Sequence, residues 1–279
     1  MQSCISVRNM AAGYGGVPVF QNIDLEIPTG KITTLIGANG SGKSTILKTI
    51  SRLITPTEGG AYLEGSSIHS MPTKLVAQKL ALLPQGAQTP SGITVADLVE
   101  YGRFPYRNKL SGLSANDREI IRWALASTNM TALADREMDQ LSGGQRQRGW
   151  IAMALAQKTG ILFLDEPTTY LDISHQLEIL QLLRKLNREQ GVTIVMVLHD
   201  LNHAIMFSDY LVAIKAGRIH CSGSPAEVIT PRTLREVFDV EAAVIEHPVL
   251  HLPVCLPYGV RGETLTQPQN DTTKQEVFP

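Results

Sequence analysis

The chain has 279 residues, of which 43% are hydrophobic and 18% charged, and its formal net charge is −1. That balance excludes a disordered chain and argues against a general nucleic-acid binder, while the length provides a sizeable core without disulfides or a structural metal. Cys4, Cys221 and Cys255 form no CxxC pair, which points to a reducing compartment, and neither a secretory leader nor an apolar run near the roughly 18 residues of a membrane span is expected.

The first segments read as strands. Ile5 and Val7 alternate with polar neighbours, as do Ile23, Leu25 and Ile27, at the two-residue period of half-buried sheet. A turn at Pro28-Thr29-Gly30 leads to the apolar run Ile32 to Ile36, which ends at Gly37-Ala38-Asn39-Gly40-Ser41-Gly42-Lys43-Ser44-Thr45. This stretch fits GxxxxGK[ST] between a strand and a helix, the setting in which backbone N–H groups turn inward around phosphate oxygens. Lys43 can reach the β- and γ-phosphates of a nucleotide, the Ser44 hydroxyl can bind Mg²⁺, and the helix start adds its positive dipole end. Helical spacing runs from Ser44 to Ile54, Pro56 to Gly60 stops it, and Ala61 to Leu63 resumes strand character.

Residues from about 88 to 158 are predicted mostly helical, with breaks near Ser111-Gly112 and Asp139-Gln140. Inside this block, Leu141-Ser142-Gly143-Gly144-Gln145 is a capping box, Ser142 and Gln145 opening the helix that carries Ile151, Ala154 and Leu155. Glycine in a first helical turn costs about 0.5–1 kcal/mol relative to alanine. The pair therefore reads as a second anion site with exposed N–H groups, for phosphate presented by another molecule. Ile161 to Leu164 forms a strand that delivers Asp165 and Glu166 to its carboxyl end, where ligands sit in open α/β sheets. Asp165 suits an Mg²⁺ site, and Glu166 suits the base that orients an attacking water. Ser174 to Arg188 is an amphipathic helix, Val192 to Leu198 a β-branched run, and Leu211 to Ile214 pairs with Arg218 to His220 around Ala216-Gly217. Buried strands separated by helices imply an α/β fold with a mainly parallel sheet into which the helical block is inserted. From about Pro257 the chain is polar and aperiodic and is expected to be a flexible tail.

The segment LSGGQRQR, placed between the phosphate loop and the Asp165-Glu166 strand, resembles the signature motif of ABC ATPases, and the resemblance to that family covers about residues 3 to 255. The resemblance implies a P-loop NTPase core (1–87 and 159–230) with an N-terminal antiparallel β subdomain, an inserted helical subdomain (88–158), a C-terminal extension (231–256) and the tail (257–279). It implies a homodimer with each ATP held between the phosphate loop of one copy and the signature of the other. Residue by residue it places Tyr14 on adenine, Gln85 at Mg²⁺ and water, Asp172 across the dimer, and His199 at the γ-phosphate. Each has a plainer reading: a turn tyrosine, an uninformative glutamine after proline, a helix cap, and a polar strand end. The stretches Tyr101-Gly102-Arg103, Trp150 to Gln157, DEPTTYLDISHQ and His199-Asp200-Leu201-Asn202 resemble most the ATPases importing ferric siderophores, with haem and vitamin B12 importers as alternatives. A non-transport ABC ATPase is the rival from another class. Implied partners are integral-membrane permease subunits and, indirectly, a periplasmic or lipid-anchored binding protein, with the chain at the cytoplasmic face of the inner membrane and no nucleic acid bound.

Overall fold

The computed structural model describes residues 2–107 and 112–262. Ser3–Tyr14 (β1) and Val17–Pro28 (β2) form an antiparallel hairpin. Ile32–Ile36 (β3) then feeds the phosphate loop and Lys43–Ile50 (α1). Glu58–Leu63 (β4) pairs with β1 and with Ser66–Ser67 (β5), completing a four-stranded antiparallel sheet in the order β2-β1-β4-β5. Thr73–Lys79 (α2) and Leu80–Leu83 (β6) return the chain to the central sheet. The insertion holds Val95–Tyr101 (α3), Ala115–Ser127 (α4) and Gly143–Ala156 (α5), joined by short 3₁₀ turns. Strands and helices then alternate through Ile161–Asp165 (β7), Ile173–Gln190 (α6), Thr193–Val197 (β8), Leu201–Phe207 (α7), Tyr210–Lys215 (β9) and Arg218–Gly223 (β10). Pro225–Val228 (α8) and Pro231–Phe238 (α9) precede a two-stranded hairpin of Val240–Glu246 (β11) and Pro253–Val260 (β12).

The central sheet has the order β10-β9-β3-β8-β7-β6 and is parallel except for its antiparallel edge strand β10. Strands β3, β7 and β8 are buried at every residue because both faces are covered. Alternate residues feed two cores. Leu162, Leu164, Ile194 and Met196 face the helical side with α5 and α6, whereas Phe163, Val195, Val197 and Leu35 meet α1 and the antiparallel sheet. No helix among the described residues is long and apolar enough to cross a membrane.

A buried ion pair ties the insertion together. Arg103 Nε donates to Asp117 Oδ1 at 2.8 Å and Arg103 Nη1 to the Ala156 carbonyl at 2.8 Å, linking the end of α3 to α4 and α5. Asp117 also caps α4, accepting from the Ser114 hydroxyl and backbone N–H. The Ser114 hydrogen bond comes first, and with Arg103 it holds the Asp117 carboxyl down to about 2 against the opposing effect of burial.

Three expectations change. The helix after the phosphate loop ends at Ile50 rather than Ile54, because Arg52 turns left-handed at φ 69° and Leu53 N–H reaches back to the Lys48 carbonyl at 2.8 Å. The insertion is less helical than expected, with extended and 3₁₀ backbone between α4 and α5. The polar stretch from Pro257 is strand as far as Val260, since β12 pairs with β11 and is pinned by Asn202 of α7. Asn202 donates to the Cys255 carbonyl at 3.2 Å and accepts from its N–H at 2.9 Å. The rest of that tail, and Ser111 of the expected break, lie outside the described residues.

Candidate functional site

The strand order brings the carboxyl ends of β3, β8, β7 and β6 side by side, and each of the four strands leads into a residue singled out by the sequence motifs. These are the loop from Gly37, then His199, then Asp165 with Glu166, then Gln85. Crevices at the carboxyl edge of parallel sheets are where ligands bind, because short loops and helix starts converge there.

Gly37 at the start of the phosphate loop is required by close approach. A Cβ there would lie 2.2 Å from the Ile214 carbonyl oxygen, so no side chain fits at its φ of 152°. Gly40 and Gly42 also have positive φ, and Gly42 caps α1 in the left-handed region. Ala38 and Asn39 complete the bend, while Ser41 and Thr45 are buried beside the loop. Lys43, only 5% exposed, folds back on the loop, its Nζ donating to the carbonyls of Gly37 at 2.8 Å and Ala38 at 2.9 Å. Burial pushes the ammonium below the usual lysine range, and the nearby charges of Glu166 and Asp165 oppose that shift.

The Ser44 hydroxyl donates to Asp165 Oδ1 at 2.7 Å. Asp165 Oδ2 is buried without a hydrogen-bond donor among the described residues, and Lys48 Nζ stands 3.5 Å away. A buried carboxylate oxygen without a donor, next to a serine hydroxyl, is the all-oxygen donor set that a hard divalent cation takes, so these residues fit Mg²⁺.

Glu166 is the point of convergence. His199 Nε2 lies 2.6 Å from its Oε1, while Gln85 Nε2 at 2.5 Å and Thr169 Oγ1 at 3.0 Å both donate to its Oε2. Its backbone sits at φ 54°, a left-handed conformation that costs an L-residue roughly 1–2 kcal/mol and is characteristic of functional sites. A mostly buried carboxylate held at three points can aim at a water and take its proton.

The remaining expected residues lie apart. Tyr14 ends β1 at the tip of the first hairpin and is 55% exposed. Ser142 caps α5, its hydroxyl accepting from Gln145 N–H at 3.3 Å while Gln145 Oε1 accepts from Ser142 N–H at 3.1 Å. No hydrogen bond among the described residues joins Ser142, Gly143, Gly144 or Gln145 to the phosphate loop. Gly143 is exposed, whereas Gly144 is buried. Asp172 caps α6, in line with its plainer reading, and accepts from His175 N–H at 2.9 Å.

Two site residues carry no motif that singles them out. Thr169 lies in the turn after Glu166, inside the stretch DEPTTYLDISHQ, where nothing assigns it a role of its own. Lys48 carries a usable signal, since it stands four residues after Ser44 on the same face of α1.

The ABC transporter family pattern matches residues 20–169. The iron(3+)-hydroxamate import ATP-binding protein FhuC of Bacillus subtilis is 54% identical over 256 residues, covering 92% of this chain and 95% of that protein. Among solved structures, an inward-facing metal-chelate type ABC transporter superposes with a TM-score of 0.80 at 26% identity, covering 94% of this chain and 99% of that one. The dimeric structure of MJ0796, a bacterial ABC transporter cassette, gives a TM-score of 0.71 at 32% identity, covering 79% and 98%.

Proposed function

As an ATP-binding subunit of the ABC transporter family, this chain binds and hydrolyses ATP, and we propose that it powers uptake of an iron(III)-siderophore complex as a dimer sharing two nucleotides. The observation that carries the hydrolytic reading is the convergence of His199, Gln85 and Thr169 on Glu166 beside the phosphate loop. Similarity to an iron(3+)-hydroxamate import ATP-binding protein over nearly the whole chain supports the substrate class.

In this reading the phosphates settle on residues 37–45, and Lys43 exchanges the Gly37 and Ala38 carbonyls for β- and γ-phosphate oxygens. Tyr14, exposed at the hairpin tip, stacks on the adenine. Ser44, Asp165 and Gln85 would hold Mg²⁺, which when bound neutralises charge on the β- and γ-phosphate oxygens. Glu166 takes the proton of the attacking water, and His199, 2.6 Å from its Oε1, keeps the carboxylate aimed and faces the γ-phosphate. The turn at 142 to 145 meets the γ-phosphate of the other copy, the Ser142–Gln145 capping box shaping a helix start whose glycine N–H groups lie away from its own loop. Tyr170 and Ile173 flank Asp172 with large, exposed apolar side chains, a surface that a second copy would cover. Loss of the γ-phosphate then separates the copies, and the insertion relays that motion to permease subunits at the cytoplasmic face of the membrane. A binding protein outside delivers the chelate, which never touches this chain.

A strain deleted for the gene and complemented with the Lys43→Ala chain should not grow with a ferric siderophore as sole iron source, whereas the wild-type chain restores growth. Restored growth with Lys43→Ala overturns the role of that lysine. Restored uptake of haem or vitamin B12 instead of ferric siderophore overturns the substrate class.

A further inference from the structure

The two glycines of the serine-capped turn have different surroundings. A Cβ added at Gly143 would meet nothing closer than Leu171 Cδ2 at 3.7 Å. At Gly144 it would lie 2.7 Å from His175 Cδ2 and 3.0 Å from His175 Cγ. The imidazole therefore fills the space that a side chain at 144 would need. Asp172 holds the ring in this place, because His175 Nδ1 lies 2.7 Å from Asp172 Oδ1 and the His175 backbone N–H donates to the same oxygen. A carboxylate only accepts, so Nδ1 carries the proton in this contact. The Ser174 hydroxyl also donates to Asp172 Oδ1, at 3.0 Å, which fixes the carboxylate in turn. One chain of contacts thus runs from the start of α6 through an imidazole to the first turn of α5.

We infer that His175 is a positioning residue, a clasp that binds Gly144 to Asp172 so that the turn and the segment before α6 move as one body. The inference rests on the shared-nucleotide reading, in which these two segments face the second copy. Glycine at 144 is needed to admit the ring, and glycine at 143 to leave a path for phosphate. The clasp sets the turn in its receiving position before the copies close, so it acts on nucleotide capture more than on the chemical step.

The test is steady-state ATP hydrolysis by the full-length chain. His175→Ala should raise the KM for ATP about 5-fold or more and leave the saturated rate nearly unchanged. His175→Asn keeps a donor near the Nδ1 position and should restore most of the affinity. Gly144→Ala should lower kcat/KM by about 100-fold, by displacing the turn against the ring. Adding His175→Ala to Gly144→Ala should then recover about tenfold, because the obstructing ring is gone. No recovery in the double variant, or parallel losses of kcat with unchanged KM in His175→Ala, would overturn the clasp. The ATP-bound dimer of Glu166→Gln tests the shared site separately. If that dimer forms while the double variant shows no rescue, only the clasp is refuted; if it does not form, the shared site fails first.

Discussion

Replacing Glu166 with glutamine changes one oxygen for an NH₂ group of nearly equal size, so its effect can be worked from the contacts of the carboxylate. Oε2 accepts from Gln85 and Thr169, and Oε1 faces His199 Nε2. A glutamine whose carbonyl oxygen takes the two donors presents its NH₂ to the imidazole, which accepts when neutral. One orientation therefore satisfies all three neighbours, and the left-handed backbone at this position is unaffected. The base alone disappears. Positioned general bases contribute about 10²–10⁴-fold, which corresponds to roughly 3–5 kcal/mol of barrier. Removing a negative charge beside a triphosphate does not weaken nucleotide binding, so ATP should accumulate on the protein unhydrolysed. The expected result is a kcat lower by about 10²–10⁴-fold in a phosphate-release assay, together with a dimer in gel filtration that requires Mg²⁺ and ATP. A rate within about tenfold of wild type refutes Glu166 as the base. A monomer under the same conditions refutes the shared nucleotide.

Named contacts set the outcome of further substitutions. Arg103→Ala takes the guanidinium from the Asp117 carboxylate, 7% exposed, which keeps its two hydrogen bonds from Ser114, and should lower the unfolding free energy by about 1–3 kcal/mol in urea titrations; a loss below about 0.5 kcal/mol would mean that the pair does not contribute in solution. The Asp117 carboxylate, held first by Ser114 and then by Arg103, makes stability acid-sensitive: because the folded group sits at about 2 against an ordinary value of 3.8, its contribution is complete above 3.8 and fades as pH falls toward 2. Urea midpoints should therefore drop more steeply on acidification in wild type than in Asp117→Asn, and equal slopes would disprove the assignment. Ser44→Ala removes the hydroxyl beside Asp165, and the Mg²⁺ concentration that half-activates hydrolysis should rise about 10-fold or more; an unchanged Mg²⁺ dependence would remove Ser44 from the cation site.

Residues 37–45 and Asp165-Glu166 are legible in the sequence because they follow strands that announce themselves, whereas Gln85 and His199 are placed only by the resemblance to ABC ATPases. Ile32 to Ile36 and Ile161 to Leu164 are short apolar runs with no other plausible fate, so the residues at their carboxyl ends are placed at once. Features made by contacts distant in sequence are not legible. Pro257 and Gly259 read as loop, yet pairing with Val240–Glu246 and the amide of Asn202 make that stretch a strand. The end of α1 depends on Arg52 taking a conformation that usually belongs to glycine. In sequence the glycine pair of the signature reads as a single anion site, since nothing local tells Gly143 from Gly144. Only the approach of His175 from the next helix separates them.

The two hydrogen bonds between Asn202 and Cys255 carry an implication for how this molecule is handled. They fasten the last described strand to the helix that starts two residues after His199. Trimming the polypeptide back to the parallel sheet would unload that helix and slacken the imidazole facing Glu166. A chain cut before Val240 should therefore hydrolyse ATP more slowly than the full-length chain, and an unchanged kcat would show that the hairpin does not act on His199.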